Sequence, residues 1–478
     1  MQHSGRNRFM YEKETPMPSI YVSIIPLLVT GLALWFSIFI LDTQPHFALF
    51  LGATTAGLCA YASGSSWEVI REGFKHSISR TISALLILLI IGMLIGVWIA
   101  SGIVPALMFF GFEFFTARWF LPLILLLCGA MSLITGSSWT TIGTIGVAAV
   151  GVSEGLGVPV AMTAGAVVSG AFFGDKISPM SDSTNLTSSV LGVNLFEHIR
   201  HMLYTTVPAM LVSLAIFTSM GFIVSGHGEL SDVSAFSESI QQHFNFSIWL
   251  FVPPIAVIVL ILLKVPAIPC LIAGLILGGG AYILFQGGSL EVLFETIHSG
   301  FRIDTGSEEI DALFSRGGME SMYDVVTLAL ISLALGGIMD RTGMLHSIVL
   351  KLSRFVGSVG NLTVTVLMTS LIVNVFSANQ YLAVILPGQM YEESYRGHNL
   401  KLKNLTRTLE AGGTLTAPLI PWNSSAVFVY SALGVTTGAY APYAVLCYLT
   451  AIIVAIFAYA NIFTDHVAPT ETEPEDQQ

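Results

Sequence analysis

Long apolar blocks constrain this chain more than any other sequence feature. About ten of them recur along 478 residues, including 20–41, 81–103, 248–263 and 442–462. Each is close to the roughly 20 residues that a helix needs to cross a bilayer. Charged residues make up only 10% of the sequence, compared with about 25% in soluble domains. The pattern predicts an all-α polytopic protein embedded in a lipid bilayer.

The apolar blocks form two series separated by a polar stretch. We predict a cytoplasmic N-terminus (1–18), a first transmembrane repeat (19–224), an external linker (225–247), a second repeat (248–462) and an acidic, disordered cytoplasmic tail (463–478). No basic patch points to nucleic acid. The four cysteines lie in apolar segments and lack the CxxC spacing of metal sites.

The two series match each other as repeats. Sliding the sequence along itself by 242 residues aligns 136–193 with 378–435 without a gap. Residues that interrupt helices then coincide, as Pro179 does with Pro421. The match predicts an internal duplication.

Each repeat is predicted to contain about five transmembrane helices plus a re-entrant helical hairpin, with discontinuous helices at the centre. Five spans per repeat is an odd number, so the second repeat would enter the membrane inverted, a recurring plan in transporters. With both termini cytoplasmic, 15 of the 19 Lys and Arg residues lie inside, and only Arg118, Arg302 and Arg316 lie outside. Charge placement does not separate re-entrant hairpins from complete spans. The short second arms and polar tips favour hairpins.

The segment 174–185, with sequence GDKISPMSDSTN, is the most informative stretch. Asp175, Lys176 and Asp182 are ionisable groups expected at membrane depth, where each costs at least about 2.5 kcal/mol. Pro179 should interrupt the helix and free backbone carbonyls. Five further residues carry neutral oxygen atoms that suit a hard cation: Ser178, Ser181, Ser183, Thr184 and Asn185. We therefore predict an ion site here, with Asp175 and Asp182 as Na+ ligands.

A structural interpretation of the same segment stays open. Asp175 and Lys176 could form ion pairs that hold helices together, with the polar run as a cytoplasmic loop. Adjacent residues do not face each other on a helix, so Lys176 would have a different partner from Asp175. Asp182, across the break, is one candidate.

The second repeat has the matching break at 414–425, but without charge. Asn423 and Ser424 could supply its neutral half of the site. Glu410, shortly before the break, is either a buried proton carrier or a helix-end charge near Arg407. The hairpin tips add four polar candidates, which could equally be turn residues: Ser137, Ser138, Asn379 and Gln380.

A polar cluster at 197–201 contains His198 and His201. We interpret it as a solvated amphipathic turn on the cytoplasmic side. The histidines there could alternatively tune a response to pH.

The sequence resembles the NhaC family of sodium/proton antiporters. The resemblance rests on 174–186 (GDKISPMSDSTNL), on 198–208 (HIRHMLYTTVP) and on 419–423 (LIPWN), and it covers most of the chain. It implies two inverted repeats, re-entrant hairpins and a site near the membrane midplane. Members of the superfamily share this scaffold but differ in cargo.

Our functional prediction is a secondary transporter of the cell inner membrane that exchanges Na+ for H+ without a cofactor. The alternative is an H+- or Na+-coupled transporter of a small organic solute, such as a dicarboxylate, lactate or an amino acid, with Lys176 binding a carboxylate. No HExxH, GxSxG or Walker A motif indicates an enzyme. A homodimer is one possible assembly.

Overall fold

The computed structural model describes residues 17–41, 43–114, 116–224, 241–263, 265–306, 311, 314–352 and 357–467. Three predicted segments lie largely outside these residues: the N-terminus up to residue 16, the linker over 225–240 and the tail from residue 468. We call residues up to 224 the first half of the chain and residues from 241 the second half.

Helices form the regular structure of the described residues, and the one β contact among them is an isolated antiparallel bridge between Leu400 and His466. The α-helices are, in chain order, α1 Ile20–Trp35, α2 His46–Ala62, α3 Trp67–Ala100, α4 Ile103–Phe114, α5 Ala117–Thr135, α6 Ser138–Thr141, α7 Val147–Gly155, α8 Val160–Ile177, α9 Asp182–Val190, α10 Leu195–Val224, α11 Val252–Leu262, α12 Ala267–Gln286, α13 Leu290–Ser299, α14 Tyr323–Arg341, α15 Met344–Leu352, α16 Val359–Ser377, α17 Gln380–Gly397, α18 Leu402–Leu409, α19 Ser424–Leu433, α20 Thr437–Tyr440 and α21 Val445–Ala460. Single π-helical turns are Phe36–Ile40, Ile142–Gly146 and Glu410–Thr414, and 3-10 turns are Ile248–Phe251, Glu320–Met322, Ala417–Leu419 and Ala441–Tyr443.

Several of these helices are long and apolar enough to cross a membrane. Within the described residues there are six: Ala117–Thr135, Val160–Ile177, Leu195–Val224, Ile268–Gln286, Glu320–Arg341 and Val359–Ser377. A seventh is the pair Thr437–Tyr443 and Val445–Ala460, which is bent by 54°. Other apolar helices, such as Ile20–Trp35 and His46–Ala62, are shorter. The prediction of an all-α, multi-pass membrane protein is confirmed.

Helix ends in the two halves fall at positions 242 residues apart. Helix α5 and helix α16 have the same length, and their first residues, Ala117 and Val359, differ by 242. The same separation relates the first residues of four further pairs of elements, which are Ser138 and Gln380, Val160 and Leu402, Asp182 and Ser424, and Leu195 and Thr437. The offset found in the sequence therefore recurs in the secondary structure.

The hairpin tips are built alike in both halves. Gly136 ends α5 with a φ of 67°, and Ala378 ends α16 with a φ of 52°, so both adopt the left-handed conformation that terminates helices. The next residue caps the following helix through its side chain: Ser137 Oγ accepts from Thr140 N, and Asn379 Oδ1 accepts from Tyr381 N. The second arms run to Gly155 and Gly397 and are longer than we expected from the sequence.

Residues 1–80 and 330–354 form one compact unit. In its described part, α1 packs against α2 and α15. Gly52 permits the close approach of α2 to α1, because a Cβ atom at this position would lie 2.0 Å from Thr30 Oγ1. Ser347 Oγ donates to the carbonyl of Pro18 at 2.8 Å.

Residues 81–329 and 355–478 form the second unit, which contains both hairpin tips and both helix breaks. Its tightest helix pair is α5 with α8. A Cβ atom at Gly174 would lie 2.2 Å from the carbonyl oxygen of Gly129, and one at Gly170 would lie 2.3 Å from that of Leu125. Small residues at the contact let the two backbones touch, as in many membrane helix pairs. This contact fixes the last turn of α8, which carries Asp175.

The two breaks differ in detail. In the first half, α8 continues through Asp175 and Lys176 to Ile177 and α9 begins at Asp182, so the break around Pro179 covers only part of the polar segment 174–185. In the second half, α18 passes into a π-helical turn that starts at Glu410 and sits beside α16 and α17. A π-helical turn inserts an extra residue into a helix and is frequent at functional sites.

Candidate functional site

Asp175 lies in the last turn of α8 and is only 4% exposed. Its Oδ2 atom accepts a hydrogen bond of 2.6 Å from Ser138 Oγ, at the tip of the first hairpin. Its Oδ1 atom has no hydrogen bond of normal geometry, although the Ser181 hydroxyl is nearby. A buried carboxylate with one hydroxyl donor is poorly compensated. The hairpin tip and the helix break thus meet at one acid.

Asp182 is the first residue of α9 and, unlike Asp175, is exposed. Its Oδ2 atom accepts from Tyr381 Oη at 2.5 Å, and its Oδ1 atom accepts from the amide of Ser183 at 2.9 Å. The two carboxylates are close enough to interact electrostatically. Asp182, which the sequence offers as one candidate partner of Lys176, does not pair with it, because Lys176 Nζ has no hydrogen-bond partner among the described residues.

Side chains of α9 satisfy the backbone that the break exposes. Thr184 Oγ1 donates to the carbonyl of Lys176 at 2.9 Å. Asn185 Nδ2 donates to the carbonyls of Pro179 at 2.9 Å and Ser181 at 2.7 Å. The freed carbonyls predicted from the sequence therefore exist, and the protein itself bonds several of them. Thr184 and Asn185 hold the break in shape.

The predicted serine ligands divide into two groups. Ser178 Oγ donates to the carbonyl of Leu133 at 2.7 Å, which ties the break to α5. Ser181 caps α9 by accepting from Thr184 N at 3.4 Å, and its hydroxyl also lies 3.1 Å from that of Ser183. Ser181 and Ser183 are buried beside the two carboxylates. Of the predicted serines of the break, these two lie nearest to the acids.

The second half contributes a neutral network. Asn423 Nδ2 donates to Asn374 Oδ1 at 3.0 Å, and Ser425 Oγ donates to Gln380 Oε1 at 3.2 Å. Ser424 begins α19, and its amide donates to a backbone carbonyl at the second hairpin tip. Asn374 also donates to the carbonyl of Gly413 within the π-helical turn. The second break is thereby held by amides, and it brings Gln380 and Asn423 to one buried region.

Glu410 connects the two halves. It is 0% exposed, and its Oε1 atom lies 2.6 Å from Thr187 Oγ1 of α9. Lys176 is also 0% exposed, and it interacts electrostatically with Glu410 and with Arg407. Arg407 is buried in α18 and donates from Nη1 to the carbonyl of Phe463 at 3.0 Å. The sequence alternative of a helix-end charge does not describe Glu410, because its side chain is enclosed.

The comparisons with known proteins agree on one family. The sequence model of the Na+/H+ antiporter family matches residues 15–184 and 170–462. A Na+/H+ antiporter NhaC from Alkalihalophilus pseudofirmus is 37% identical over 89% of this chain and 92% of the relative. The chain belongs to the NhaC family of Na+/H+ antiporters. It is accordingly a secondary transporter of the membrane and not an enzyme.

Other relatives of this antiporter carry different names. A malate-2H+/Na+-lactate antiporter from Bacillus subtilis is 37% identical over 94% of the chain and 97% of the relative. An arginine/ornithine antiporter, ArcD, from Halobacterium salinarum is 35% identical over 96% of the chain and 95% of the relative. The family assignment therefore fixes the transport class more closely than the cargo.

The cluster at 197–201 corrects one expectation. Glu197 and Arg200 are exposed, but His198 and His201 are buried, so the interpretation as a solvated turn is wrong for the histidines. The cause is that α10 of the antiporter starts at Leu195 and packs against α18. Residues three apart share a helix face, so both histidines point inward, and His198 Nδ1 lies 2.8 Å from the Thr406 hydroxyl.

Sequence reasoning missed three residues of this region of the antiporter: Tyr381 and Thr187, which contact Asp182 and Glu410, and Asn374, which bonds Asn423 at the second break. Tyr381 follows the predicted tip residues directly, and this position was the available signal. Thr187 and Asn374 lie in polar positions of ordinary helices, and nothing local distinguishes them. Their roles follow from contacts between residues far apart in the chain, such as Thr187 with Glu410.

Proposed function

We propose that this antiporter exchanges Na+ for H+ across the cytoplasmic membrane, and that both ions compete for the carboxylates of Asp175 and Asp182. The observation that supports it most is the buried Asp175 carboxylate, which accepts from Ser138 and has Asp182 as its electrostatic neighbour. Burial disfavours a free charge, so such a carboxylate favours either a proton or a cation. Competition between the two couples their flows.

The proposed Na+ ligands come from four helices, α6, α8, α9 and α17, and from the break before α9. The carboxylates of Asp175 and Asp182 supply charge, and hydroxyl oxygens supply neutral ligands, as a hard cation prefers. The nearest hydroxyls belong to four residues: Ser138, Ser181, Ser183 and Tyr381. Ser137, Ser178, Thr184 and Asn185 position them through caps and backbone hydrogen bonds.

The proposal includes the neutral half of the site from the second repeat. Asn379, Gln380, Asn423 and Ser424 surround the second break and would complete the cavity that the ions cross. Their hydrogen bonds, such as Ser425 Oγ to Gln380 Oε1, make this half rigid. It carries no acid of its own except Glu410 at its edge.

The architecture that we propose is a pair of inverted repeats, 19–224 and 248–462, each with about five spans and a re-entrant hairpin. Support comes from the helix starts that recur at a separation of 242 residues and from the matching hairpin tips. The positive-inside bias favours cytoplasmic termini. A homodimer remains the assembly to test first.

The experiment is Na+-driven dequenching of a pH-sensitive dye in proteoliposomes. Wild-type protein should dequench the dye with a saturable dependence on Na+. Asp175→Asn and Asp182→Asn should each abolish the signal, whereas Asp304→Asn, in an exposed loop, should leave it intact. Normal exchange by both site variants would refute the assignment.

An organic solute is the second candidate cargo. It is favoured by Lys176, a buried ammonium without a hydrogen-bond partner among the described residues, which could bind a carboxylate. The malate/lactate and arginine/ornithine antiporters among the relatives point the same way. Uptake of radiolabelled acids and amino acids by proteoliposomes discriminates: saturable uptake without Na+-driven proton flux would favour the solute.

A further inference from the structure

Glu410 differs from the two aspartates in the number of acceptors that the hydroxyl group in contact with it has. Ser138 Oγ and Tyr381 Oη each contact one acceptor, a carboxylate oxygen of Asp175 and of Asp182 respectively. Their single hydrogen can therefore be donated to an ionised acid. In these two contacts each aspartate can act as an ionised acceptor.

Two hydroxyl groups lie beside Glu410, those of Thr187 and Thr414, and the hydroxyl of Thr187 contacts two potential acceptors. Thr187 Oγ1 lies 2.8 Å from the carbonyl oxygen of Ser183 and 2.6 Å from Glu410 Oε1. A hydroxyl carries one hydrogen and two lone pairs, and a carbonyl only accepts. If Thr187 donates to Ser183, the second contact is a hydrogen bond only when Glu410 carries the proton and donates it. Both contacts are satisfied together when Glu410 is a neutral carboxylic acid.

The charges around Glu410 disfavour a metal cation. Lys176 and Asp182 are the charged groups that interact with it, and no acidic oxygen of the described residues lies within 4.0 Å of Lys176 Nζ. Lys176 in turn is near Arg407, Cys447 and His198. A Na+ ion beside Glu410 would meet the Lys176 ammonium in a low dielectric, where like charges repel strongly.

The helix geometry keeps this region apart from the aspartates. Asp175 and Lys176 are consecutive in α8, so their side chains diverge by about 100° around the axis. Asp175 faces the first hairpin tip, while Lys176 interacts with the π-helical turn of the second half. The two neighbourhoods share α8 and α9, and the hydrogen bond from Thr187 to the carbonyl of Ser183 runs along α9 between them.

We infer that Glu410 and Lys176 form a second site, which binds protons and excludes Na+, separate from the cation site at Asp175 and Asp182. The pair can hold one proton, as carboxylate and ammonium, or two, as carboxylic acid and ammonium. The extra proton comes from water and leaves to water, and it joins Glu410 Oε1. The inference rests on the proposed Na+/H+ exchange and adds one proton to its stoichiometry.

The first test measures stoichiometry in proteoliposomes clamped at zero membrane potential. The Na+ gradient that just cancels a fixed pH gradient gives the number of protons moved per Na+. Glu410→Gln should keep exchange and the apparent KM for Na+, because its amide can donate to Thr187 as the acid does, but should move one proton fewer. Glu72→Gln, in an exposed pair with Lys75, is the matched control.

The outcomes separate the two proposals. If the wild-type protein shows no Na+-driven proton flux, the proposed Na+/H+ exchange is refuted, and the second site that depends on it is refuted as well. If wild type exchanges and Glu410→Gln keeps the wild-type ratio, or raises the KM for Na+ tenfold or more, the second site alone is refuted.

A second test does not depend on transport or on that variant. Infrared spectra of wild-type protein at neutral pH without Na+ should contain the band of a protonated carboxyl group, because Glu410 holds its extra proton in the Na+-free state. Thr187→Val removes its hydroxyl acceptor, so the pH at which the band disappears should fall. A rise in that pH would mean that Thr187 donates to an ionised Glu410, and it would overturn the inference, as would absence of the band.

Discussion

Removal of one hydroxyl group tests the central contact of the site. Ser138 Oγ donates to Asp175 Oδ2 at 2.6 Å, and both residues are buried. A hydrogen bond to an ionised group contributes about 1.5–3 kcal/mol. Because 1.36 kcal/mol corresponds to one pH unit, Ser138→Ala should favour the protonated acid by about 1–2 pH units.

The sign of the effect follows from which state loses the donor. The ionised carboxylate loses a hydrogen bond in Ser138→Ala, while the protonated form loses less. Asp175 therefore keeps its proton to a higher pH, and Na+ can displace it only there. The pH at which Na+-driven dequenching is half-maximal should rise by about 1–2 units.

Ser132→Ala is the matched control, because Ser132 of α5 also bonds α8 through its hydroxyl group. Ser132 Oγ donates to the carbonyl of Ala171 in α8 at 2.5 Å and is also buried. Its loss should reduce stability by about 0.5–1.5 kcal/mol without moving the pH profile. An unchanged or lowered half-maximal pH in Ser138→Ala, or the same shift in Ser132→Ala, would refute the reasoning.

Three further predictions concern single side chains. Tyr381→Phe deletes the donor to Asp182 and should raise the KM for Na+ by about 2- to 10-fold, measured from initial rates of dequenching, whereas an unchanged KM would exclude Tyr381 from the site. Gly174→Ala places a Cβ atom 2.2 Å from a backbone oxygen of α5 and should destabilise the fold by about 1–3 kcal/mol. The measurement is loss of the monodisperse peak in size-exclusion chromatography. Gly31→Ala, with nothing within 4 Å of the new Cβ atom, should leave the peak unchanged. The ion pair with Lys403 of α18 holds the pKa of Asp465 below its ordinary value. Asp465→Asn should therefore lower the free energy of unfolding at pH 7 by about 0–1 kcal/mol, and thermal melts should show that the difference from wild type vanishes as the pH falls below about 4.

Local sequence signals predicted the break near Asp175 and the two polar tips. Proline, glycine and helix-capping residues act within a few positions, so their effect can be read without knowing the fold. Gly136, which adopts a φ of 67°, and Ser137, which caps the next helix, are examples. The offset of 242 residues was also visible in the sequence, because the residues that interrupt helices recur at that separation.

Contacts between the halves were not predictable from one sequence. Asp182 and Tyr381 are 199 residues apart, and Thr187 and Glu410 are 223 apart. Such pairs depend on which helix faces meet, and several faces of these helices are equally apolar. The same limit applies to Lys176, for which the sequence offered Asp182 as a candidate partner, whereas its side chain interacts with Glu410 of the second half.

Helix α9 gives the two acidic regions a physical connection. Its first residue, Asp182, accepts from Tyr381 of the second half, and its Thr187 contacts Glu410, also of the second half. Both hydrogen bonds therefore cross between halves through a helix of nine residues. If α9 slides along its axis as a rigid body, the shift that opens the carboxylate of Asp182 to Na+ also separates Thr187 from Glu410. Loss of that contact removes the acceptor of the protonated acid, and entry of Na+ at one acid would thereby promote release of a proton at the other.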